Sequence, residues 1–267
     1  MERIGLIAGN RKFPLLFCQE AKKNNLYIVA VAVKGETSLG INKLADKVYW
    51  VRLSDFSRIF AIFKGEGIKK VAMVGQISPH RLFSREVSFS PDIQQILRAI
   101  KDKRADTIFG AIADKLKEGG LDLLDSTLFV KSHLPSKGVL TAHNPDKVTW
   151  EDISFGFEAA KAIGALDIGQ AVAIKDKAIV AVEAFEGTDK LILRSVKLAG
   201  AGITIVKTAK PKQDMRFDVP VVGLRTIKLL IKIRAKCLAI QADKTLFIDR
   251  DASLKLADKR GLTVVAV

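Results

Sequence analysis

Residues 207–236 are rich in cations, and their residue types suggest chemistry more clearly than those of any other segment. The segment holds nine basic residues and only two acidic ones, Asp214 and Asp218, a net charge of +7. Two prolines and a glycine within residues 207–226 predict a long irregular loop between a strand and a helix. Cationic side chains and the N–H groups of the following helix could neutralise a pyrophosphate; the candidates are Lys207, Lys210, Arg216, Arg225 and Thr226.

The two aspartates of this loop have two explanations. Surrounded by cations, they should remain ionised and could hold a hard metal ion such as Mg²⁺. A solvated basic loop whose aspartates form surface ion pairs fits the same charge pattern equally well. The charge alone does not decide between a site and a surface loop.

A second candidate segment, Glu183–Asp189, carries three carboxylates just before a predicted helix, in a chain that has few acidic residues. Glu183, Glu186 and Asp189 could bind magnesium, or one of them could act as a general base. Thr188 or Asp189 could instead cap the helix, because both residue types favour the N-cap position. Both explanations stay open at this stage.

Three short turns directly follow predicted strands: Gly9-Asn10, Gly75-Gln76 and Asp125-Ser126-Thr127. Open parallel sheets bind ligands where their strands end, and N–H groups at strand–helix turns bind anions. The first turn lacks the three glycines of a dinucleotide-binding fingerprint, which makes an NAD site a weak interpretation. An ordinary turn explains Gly9-Asn10 equally well, and helix capping is the better explanation for the other two.

These candidate residues depend on elements that the apolar pattern predicts. In the first half, short runs rich in Val and Ile lie at residues 4–8, 27–33, 47–51, 70–74 and 121–124. Such runs are typical of parallel strands covered on both faces. Helical spacing occurs between them at residues 13–24 and 56–65 and in one long stretch from Pro91 to about Gly119. We predict an α/β fold with a Rossmann-like parallel sheet over residues 1–130.

The second half predicts a mixed α/β domain over residues 150–267, after a polar linker at residues 131–149 that contains two prolines. Its expected elements are, in order, a helix at 150–163, a hairpin of 170–174 and 178–184, a helix at 189–199, a strand at 203–206, a helix at 224–235, paired strands within 238–248 and a closing helix and strand. The fold class is therefore α/β with two domains of similar size.

Composition excludes several classes of protein. With 267 residues, 48% of them hydrophobic, and a mean hydropathy of +0.17, the chain can bury a core and is not intrinsically disordered. Two cysteines exclude a disulfide scaffold, and the spacing of His80, His133 and His143 makes a zinc site improbable. No segment resembles a signal peptide or approaches the roughly 18 apolar residues of a membrane span, so a cytoplasmic-type protein is expected.

Several segments together resemble the LpxI-type UDP-2,3-diacylglucosamine pyrophosphatases. The resemblance runs from residue 3 to the C-terminus, and its motifs come in the family's order. They are Gly9-Asn10-x-x-x-Pro14, Asp125-Ser126-Thr127-Leu128-Phe129, Leu166-Asp167-Ile168-Gly169-Gln170, Val182-Glu183-Ala184-x-Glu186-Gly187-Thr188-Asp189, and Lys210-Pro211-x-Gln213-Asp214-x-Arg216-Phe217-Asp218-x-Pro220-x-x-Gly223-x-x-Thr226. Arg11 stands where the family usually has Gly, and Val219 where it often has Leu.

The resemblance implies a two-domain α/β hydrolase of lipid A synthesis with its substrate held between the domains. It implies magnesium-dependent hydrolysis of UDP-2,3-diacylglucosamine to UMP and 2,3-diacylglucosamine 1-phosphate (lipid X), with water attacking the sugar-side phosphorus. Asp218 is the implied key acid, with Asp214 as a second catalytic candidate and Glu186 and Asp189 as further candidate Mg²⁺ ligands. The candidate substrate-binding residues are Gly9, Asn10, Gly75, Gln76, Asp125, Ser126, Thr127, Gln170, Glu186, Gly187, Thr188, Lys207, Lys210, Gln213, Arg216 and Thr226.

The partners expected from charge are less specific. A net charge of +15 and a pI near 9.8 are compatible with nucleic acid, but only 7% of residues are aromatic and no stacking platform is evident. We expect no nucleic-acid partner and a transient contact with the anionic cytoplasmic face of the inner membrane. A non-catalytic nucleotide-sugar or nucleic-acid binding protein is the alternative, and the sequence allows a homodimer without determining the oligomeric state.

Overall fold

The computed structural model describes residues 1–78, 81, 90–102 and 104–267. By their contacts these residues form two compact units. The first consists of Met1–Lys131 with Asp214–Asp218, and the second of Ser132–Gln213 with Val219–Val267. His80, one of the three histidines considered above, lies outside the described residues.

The first unit contains a five-stranded parallel sheet with the strand order β3-β2-β1-β4-β5. Its elements are β1 (Arg3–Ala8), α1 (Phe13–Lys23), β2 (Tyr27–Val33), a 3-10 turn (Leu39–Lys43), β3 (Lys47–Val51), α2 (Ser57–Gly65), β4 (Lys70–Val74), α3 (Pro91–Ala99), α4 (Ala105–Glu118) and β5 (Asp122–Leu124). Val and Ile side chains of the strands pack against Ile59 and Phe63 of α2 and Leu116 of α4 in one core. The predicted parallel α/β sheet is confirmed.

The helical stretch predicted from Pro91 to about Gly119 is divided into two helices, α3 and α4. Ile100 has an extended backbone with ψ of 149°, and Asp102 accepts hydrogen bonds from the N and Nε of Arg104 at 3.1 and 2.9 Å. An aspartate that bonds to a backbone N–H two residues ahead competes with the helical hydrogen bond. This local turn ends α3 before α4 begins.

The second unit contains a six-stranded mixed sheet with the order β6-β13-β11-β9-β7-β8. Its elements are β6 (Gly138–Val139), α5 (Lys147–Ala165), β7 (Ala171–Lys175), β8 (Ala178–Val182), α6 (Thr188–Ala199), β9 (Thr204–Lys207), β10 (Val221–Gly223), α7 (Leu224–Lys232), β11 (Cys237–Ile240), β12 (Leu246–Ile248), α8 (Arg250–Lys259) and β13 (Thr263–Ala266). Strands β9, β11 and β13 are mutually parallel, whereas β6, β7 and β8 pair antiparallel.

Helices cover both faces of this sheet. Helix α5 packs on one face, where Gly156 allows a close approach: a Cβ atom there would lie 2.7 Å from Val206 Cγ2. Residues of α6, α7 and α8 form the core on the other face. The predicted mixed α/β domain is confirmed. Strand β9 ends at Lys207, whose side chain contacts Thr188 at the start of α6.

Two predictions for the second half differ from the structure. The strands expected to pair within residues 238–248 do not pair with each other: β11 lies between β9 and β13, while β12 pairs with β10 in a separate two-stranded sheet. Apolar periodicity identifies a strand but not its partner, and the fully buried β11 requires a neighbour on each side. Of residues 131–149, predicted as a linker, all but Lys131 belong to the second unit, where β6 pairs with β13 and Asp146 caps α5.

Candidate active site

The clearest candidate for binding an anion is Lys207, the last residue of β9 in the second unit. Its side chain is buried, with 9% of the residue exposed, and its Nζ donates a hydrogen bond to Thr188 Oγ1 at 2.9 Å. No carboxylate lies within ion-pair distance of it among the residues that the structure describes. A buried ammonium that no carboxylate contacts directly carries a desolvation cost that an anionic ligand would offset.

Thr188 connects this lysine to a buried acid. Its hydroxyl donates to Glu183 Oε1 at 2.6 Å, and the backbone N–H of Gln170 donates to Glu183 Oε2 at 3.1 Å. Glu183, itself buried, therefore fixes the orientation of the hydroxyl that accepts a hydrogen bond from Lys207. Hydrogen bonds thus join Lys207, Thr188 and Gln170 of the predicted site through Glu183.

Helix α6 begins at the same place. Its N-cap residue, Gly187, has a φ of +82°, which glycine adopts without strain, and no side chain caps the helix in the described part of the chain. An uncapped helix start presents N–H donors and a partial positive charge to an anion. Lys207 and the start of α6 together form a site suited to a phosphoryl group.

Lys210 has a different role from Lys207, although both are buried. Its Nζ lies 2.5 Å from Asp167 Oδ1, and the side chains of this ion pair are only 6% and 9% exposed. Its backbone N–H donates to Gln213 Oε1 at 2.6 Å, and Gln213 N–H donates back to the carbonyl of Lys210. Asp167 therefore neutralises Lys210, which holds the loop in place.

The sequence did not single out Lys161 of α5. Its Nζ donates to Ala209 O at 2.9 Å and to Gln241 Oε1 at 2.7 Å, and Ala209 N–H donates to the same Gln241 oxygen. Burial, with the neighbouring Lys244 as a smaller cause, lowers the pKa of Lys161. A lysine within an amphipathic helix gives no sequence signal of this role, because the residues it anchors are distant along the chain.

The later part of the basic loop, Asp214–Asp218, belongs to the first unit. Ser126 donates to Met215 O from its N–H at 3.0 Å and from its hydroxyl at 2.7 Å, and the Phe217 ring stacks on Phe109 with centroids 5.7 Å apart. Asp218 N–H donates to Asp214 O at 2.9 Å. The half-buried Asp218 therefore lies on a segment that the first unit holds in position.

Other predicted residues of this region have local roles. Asp125 Oδ1 accepts from the N–H and hydroxyl of Thr127 at 2.7 and 2.6 Å, which closes the turn that carries Ser126. In the second unit, Thr226 is buried in the first turn of α7. These contacts shape the turn and the helix start.

The turns after β1 and β4 in the first unit meet each other. Gly9 N–H donates to Val74 O at 2.8 Å and Asn10 N–H to Gln76 O at 2.7 Å. A Cβ on Gly9 would lie 2.7 Å from Gln76 O, and Gly75 has a φ of +90°. The side-chain amide of Asn10 donates to Glu36 Oε2 and to Ser78 Oγ. The predicted residues at this edge therefore form one contiguous polar surface.

Ion pairs engage most of the four carboxylates predicted to bind Mg²⁺. Arginines pair with three of them: Arg194 with Glu186 at 2.7 Å, Arg225 with Asp189 at 2.9 Å, and Arg216 with Asp214 at 2.6 Å. Among the described residues of either unit, no three His, Cys, Asp or Glu side chains gather into a metal-binding group.

The pKa values of two of these acids are consistent with stable ion pairs. Hydrogen bonds from Arg216 lower the pKa of Asp214. Burial is the largest influence on Glu186 and raises its pKa, but backbone hydrogen bonds and Arg194 outweigh burial, so the pKa is lowered. Both carboxylates are therefore ionised, and their charge is already neutralised by arginine.

Comparisons with solved structures give only distant likenesses. Glycinamide-RNase-transformylase T from Mycobacterium tuberculosis has a TM-score of 0.26 and 12% identity, over 52% of this chain and 38% of that one. The biotin carboxylase subunit of pyruvate carboxylase has a TM-score of 0.27 and 14% identity, over 74% of this chain and 40% of that one.

Sequence comparison is more specific. A protein of Caulobacter vibrioides, "UDP-2,3-diacylglucosamine pyrophosphatase LpxI", is 27% identical over 283 residues, covering 100% of this chain and 98% of the relative. The model of the LpxI N-terminal domain matches residues 3–133, and that of the LpxI C-terminal domain matches residues 136–265. The resemblance carried by the motifs is confirmed, and the chain belongs to the LpxI family.

Proposed function

We propose that this protein hydrolyses the pyrophosphate bond of UDP-2,3-diacylglucosamine to UMP and 2,3-diacylglucosamine 1-phosphate (lipid X), a step of lipid A synthesis. Membership of the LpxI family and the activity named for the Caulobacter vibrioides relative support this substrate. The observation that carries the proposal is the buried ammonium of Lys207, without a carboxylate partner among the described residues, beside the uncapped start of α6. That arrangement is suited to a phosphoryl group and not to a neutral ligand.

The proposed chemistry assigns two roles to residues of this chain. Lys207 and the N–H groups at the start of α6 stabilise the negative charge that grows on the phosphoryl oxygens, the dominant contribution in phosphoryl transfer. Asp218 orients the attacking water and accepts its proton. The water oxygen bonds to the sugar-side phosphorus, the anhydride P–O bond breaks, and UMP leaves.

A magnesium requirement stays a prediction. Three of the four candidate ligands are neutralised by arginine as described above, so no step of the proposal is routed through the ion. EDTA treatment followed by addition of Mg²⁺ measures the requirement directly.

The test is UMP release by purified protein from UDP-2,3-diacylglucosamine. Asp218→Asn should lower kcat about 10²- to 10⁴-fold, the range for loss of a general base. Asp243→Asn is a matched control, since Asp243 is exposed and its φ of +55° suits asparagine. Full activity of Asp218→Asn contradicts the assignment, and substrate binding without UMP release favours the alternative of a non-catalytic binding protein.

Isotope labelling tests the direction of attack. Hydrolysis in ¹⁸O-water should place the label in lipid X, because the water oxygen joins the sugar-side phosphorus. Label in UMP would show attack on the other phosphorus and refute this part of the proposal.

We also propose that the protein makes transient contact with an anionic membrane surface, supported by its net charge of +15. No helix in the described part of the chain has the length and hydropathy of a membrane span. Sedimentation with anionic vesicles should carry down a fraction of the protein that decreases with added salt. Protein that stays entirely in the supernatant at low salt contradicts the contact.

A further inference from the structure

The first unit has a second polar site at the carboxyl edge of its sheet. Strands β2 and β4 lie on opposite sides of β1 in the order β3-β2-β1-β4-β5, so the connections after β1 and β4 diverge there. Open α/β sheets bind their ligands at such a switch point. The residues at this edge are Asn10 after β1, Glu36 after β2 and Ser78 after β4.

Glu36 is the centre of this site. Its side chain is 2% exposed, and its Oε2 accepts hydrogen bonds from Asn10 Nδ2 at 2.7 Å, Ser78 Oγ at 2.9 Å and Ser78 N at 3.2 Å. Three donors on one oxygen hold the carboxylate in a single orientation. The position of its other oxygen, Oε1, is thereby determined as well.

Two acceptors of this site accept no hydrogen bond from a described residue. Glu36 Oε1 forms an ion pair with the Arg81 guanidinium at 3.6 Å, a distance too long for a hydrogen bond. Asn10 Oδ1 is buried and has no hydrogen-bond partner in the described part of the chain. A buried acceptor without a donor is rare in folded proteins and costs free energy, so a ligand that supplies donors to Asn10 and to the Glu36 carboxylate would be bound favourably.

We infer that Glu36 and Asn10 bind the vicinal 2′- and 3′-hydroxyls of the ribose in a pyrimidine ribonucleotide. Two neighbouring acceptors match two neighbouring donors. In the proposed substrate the glucosamine is acylated at positions 2 and 3, so its free hydroxyls are not on adjacent carbons, whereas those of the ribose are. The inference rests on the proposed function for the choice of nucleotide.

The experiment is calorimetric titration of the full chain with UMP, 2′-deoxy-UMP and 3′-deoxy-UMP. Each deoxynucleotide should bind about 10- to 100-fold more weakly than UMP, the range for a hydrogen bond to a charged group. Equal affinity for the three nucleotides, or no binding of UMP at millimolar concentration, overturns the inference. This series needs no variant and therefore does not depend on a variant folding.

The Glu36→Gln variant tests whether Glu36 is responsible for the preference for UMP over the deoxynucleotides. Its amide oxygen can still accept from Asn10 and Ser78, while an NH₂ group replaces the acceptor Oε1. The ratio of UMP to deoxynucleotide affinity should fall to within about threefold. Glu118→Gln, at an exposed residue of α4, should keep the wild-type ratio. Equal weakening of all three nucleotides by Glu36→Gln would show a merely structural role and overturn the assignment.

The UMP-release assay separates this inference from the proposed function. If the protein hydrolyses UDP-2,3-diacylglucosamine but binds UMP and the deoxynucleotides equally, only the ribose-site inference is contradicted. If it prefers UMP to the deoxynucleotides but does not hydrolyse the substrate, only the proposed function is contradicted.

Discussion

The five-stranded sheet of the first unit and the six-stranded sheet of the second end in polar sites of opposite character. At the carboxyl edge of the first sheet, the Glu36 carboxylate and the Asn10 side-chain carbonyl accept no donor at Oε1 and Oδ1 from the described residues. At the end of β9 in the second sheet, no described carboxylate contacts the Lys207 ammonium directly. The first arrangement suits hydroxyl groups and the second suits a phosphoryl group. The strand ends of the two α/β sheets are thus suited to different ligands, because the fold leaves hydrogen-bond acceptors available at one and a cation at the other.

Lys207 and Lys210 make the same contrast within one loop. Both are buried, but Asp167 neutralises Lys210, whereas Lys207 has only the hydroxyl of Thr188. A buried ion pair holds the loop in place, whereas a buried cation that no carboxylate contacts directly can bind an anionic ligand. Three variants test this comparison.

Lys210→Met should lower the free energy of unfolding by about 3–5 kcal/mol, because it leaves Asp167 buried without its counter-charge. Urea denaturation followed by circular dichroism measures the change. Lys212→Met, at an exposed lysine of the same loop, is the control and should change the free energy of unfolding by less than about 0.5 kcal/mol. A Lys210→Met protein as stable as wild type would contradict the structural role.

Lys207→Met should lower kcat/KM about 10²- to 10³-fold and should lower the free energy of unfolding by less than Lys210→Met does. The variant removes the buried ammonium, and Glu183, which Lys207 reaches only through the Thr188 hydroxyl, keeps its hydrogen bonds from Thr188 and Gln170. Kinetics of UMP release and urea denaturation measure the two quantities, with Lys212→Met again as control. A loss of stability as large as that of Lys210→Met, or unchanged kcat/KM, would show that Lys207 is structural like Lys210.

Arg216→Gln should lower the free energy of unfolding only slightly, by about 0.5–1 kcal/mol at pH 7, because the Asp214–Arg216 pair is partly exposed. The pair lowers the pKa of Asp214 from its usual 3.8, so its stabilisation is fully present above that value. It is lost as the pH falls through the lower, folded-state pKa. The difference between wild type and variant should therefore be constant from pH 5 to 7 and shrink below about pH 3.8.

Unfolding in urea at several pH values measures this difference, and salt provides the control. Because the pair is exposed, 1 M NaCl should reduce the difference at pH 7. A difference that is unchanged at low pH would assign the stabilisation to packing of the arginine and not to its charge.

The sequence predicted most local elements well. Strands β2, β3 and β4 have the predicted bounds, since a run of apolar residues between polar ones is itself the signal of a buried strand. The hairpin of β7 and β8 was equally predictable, because Asp176 and Lys177 form a tight turn with positive φ at both residues. These features depend on residues close together in the chain.

Most errors occurred where contacts between residues distant in the chain determine the structure. The pairing of β12 with β10 was not predicted for this reason. The break between α3 and α4 is an exception, because Asp102 and Arg104 are close together in the chain. The basic loop was read as one element, but its residues 207–213 belong to the second unit and residues 214–218 to the first. Nothing in the local pattern marks that division, which depends on contacts such as those of Ser126 with Met215.

By itself the sequence determined the local elements, the family and the concentration of cations at residues 207–236. Only the tertiary structure decided which of those cations are neutralised: Asp167 pairs with Lys210 from 43 residues away, and Asp189 pairs with Arg225. It likewise brought Glu36 to Ser78 across 42 residues. Charge and hydrogen-bonding capacity are properties of single residues, whereas the compensation of a buried group depends on which distant residues the fold places beside it.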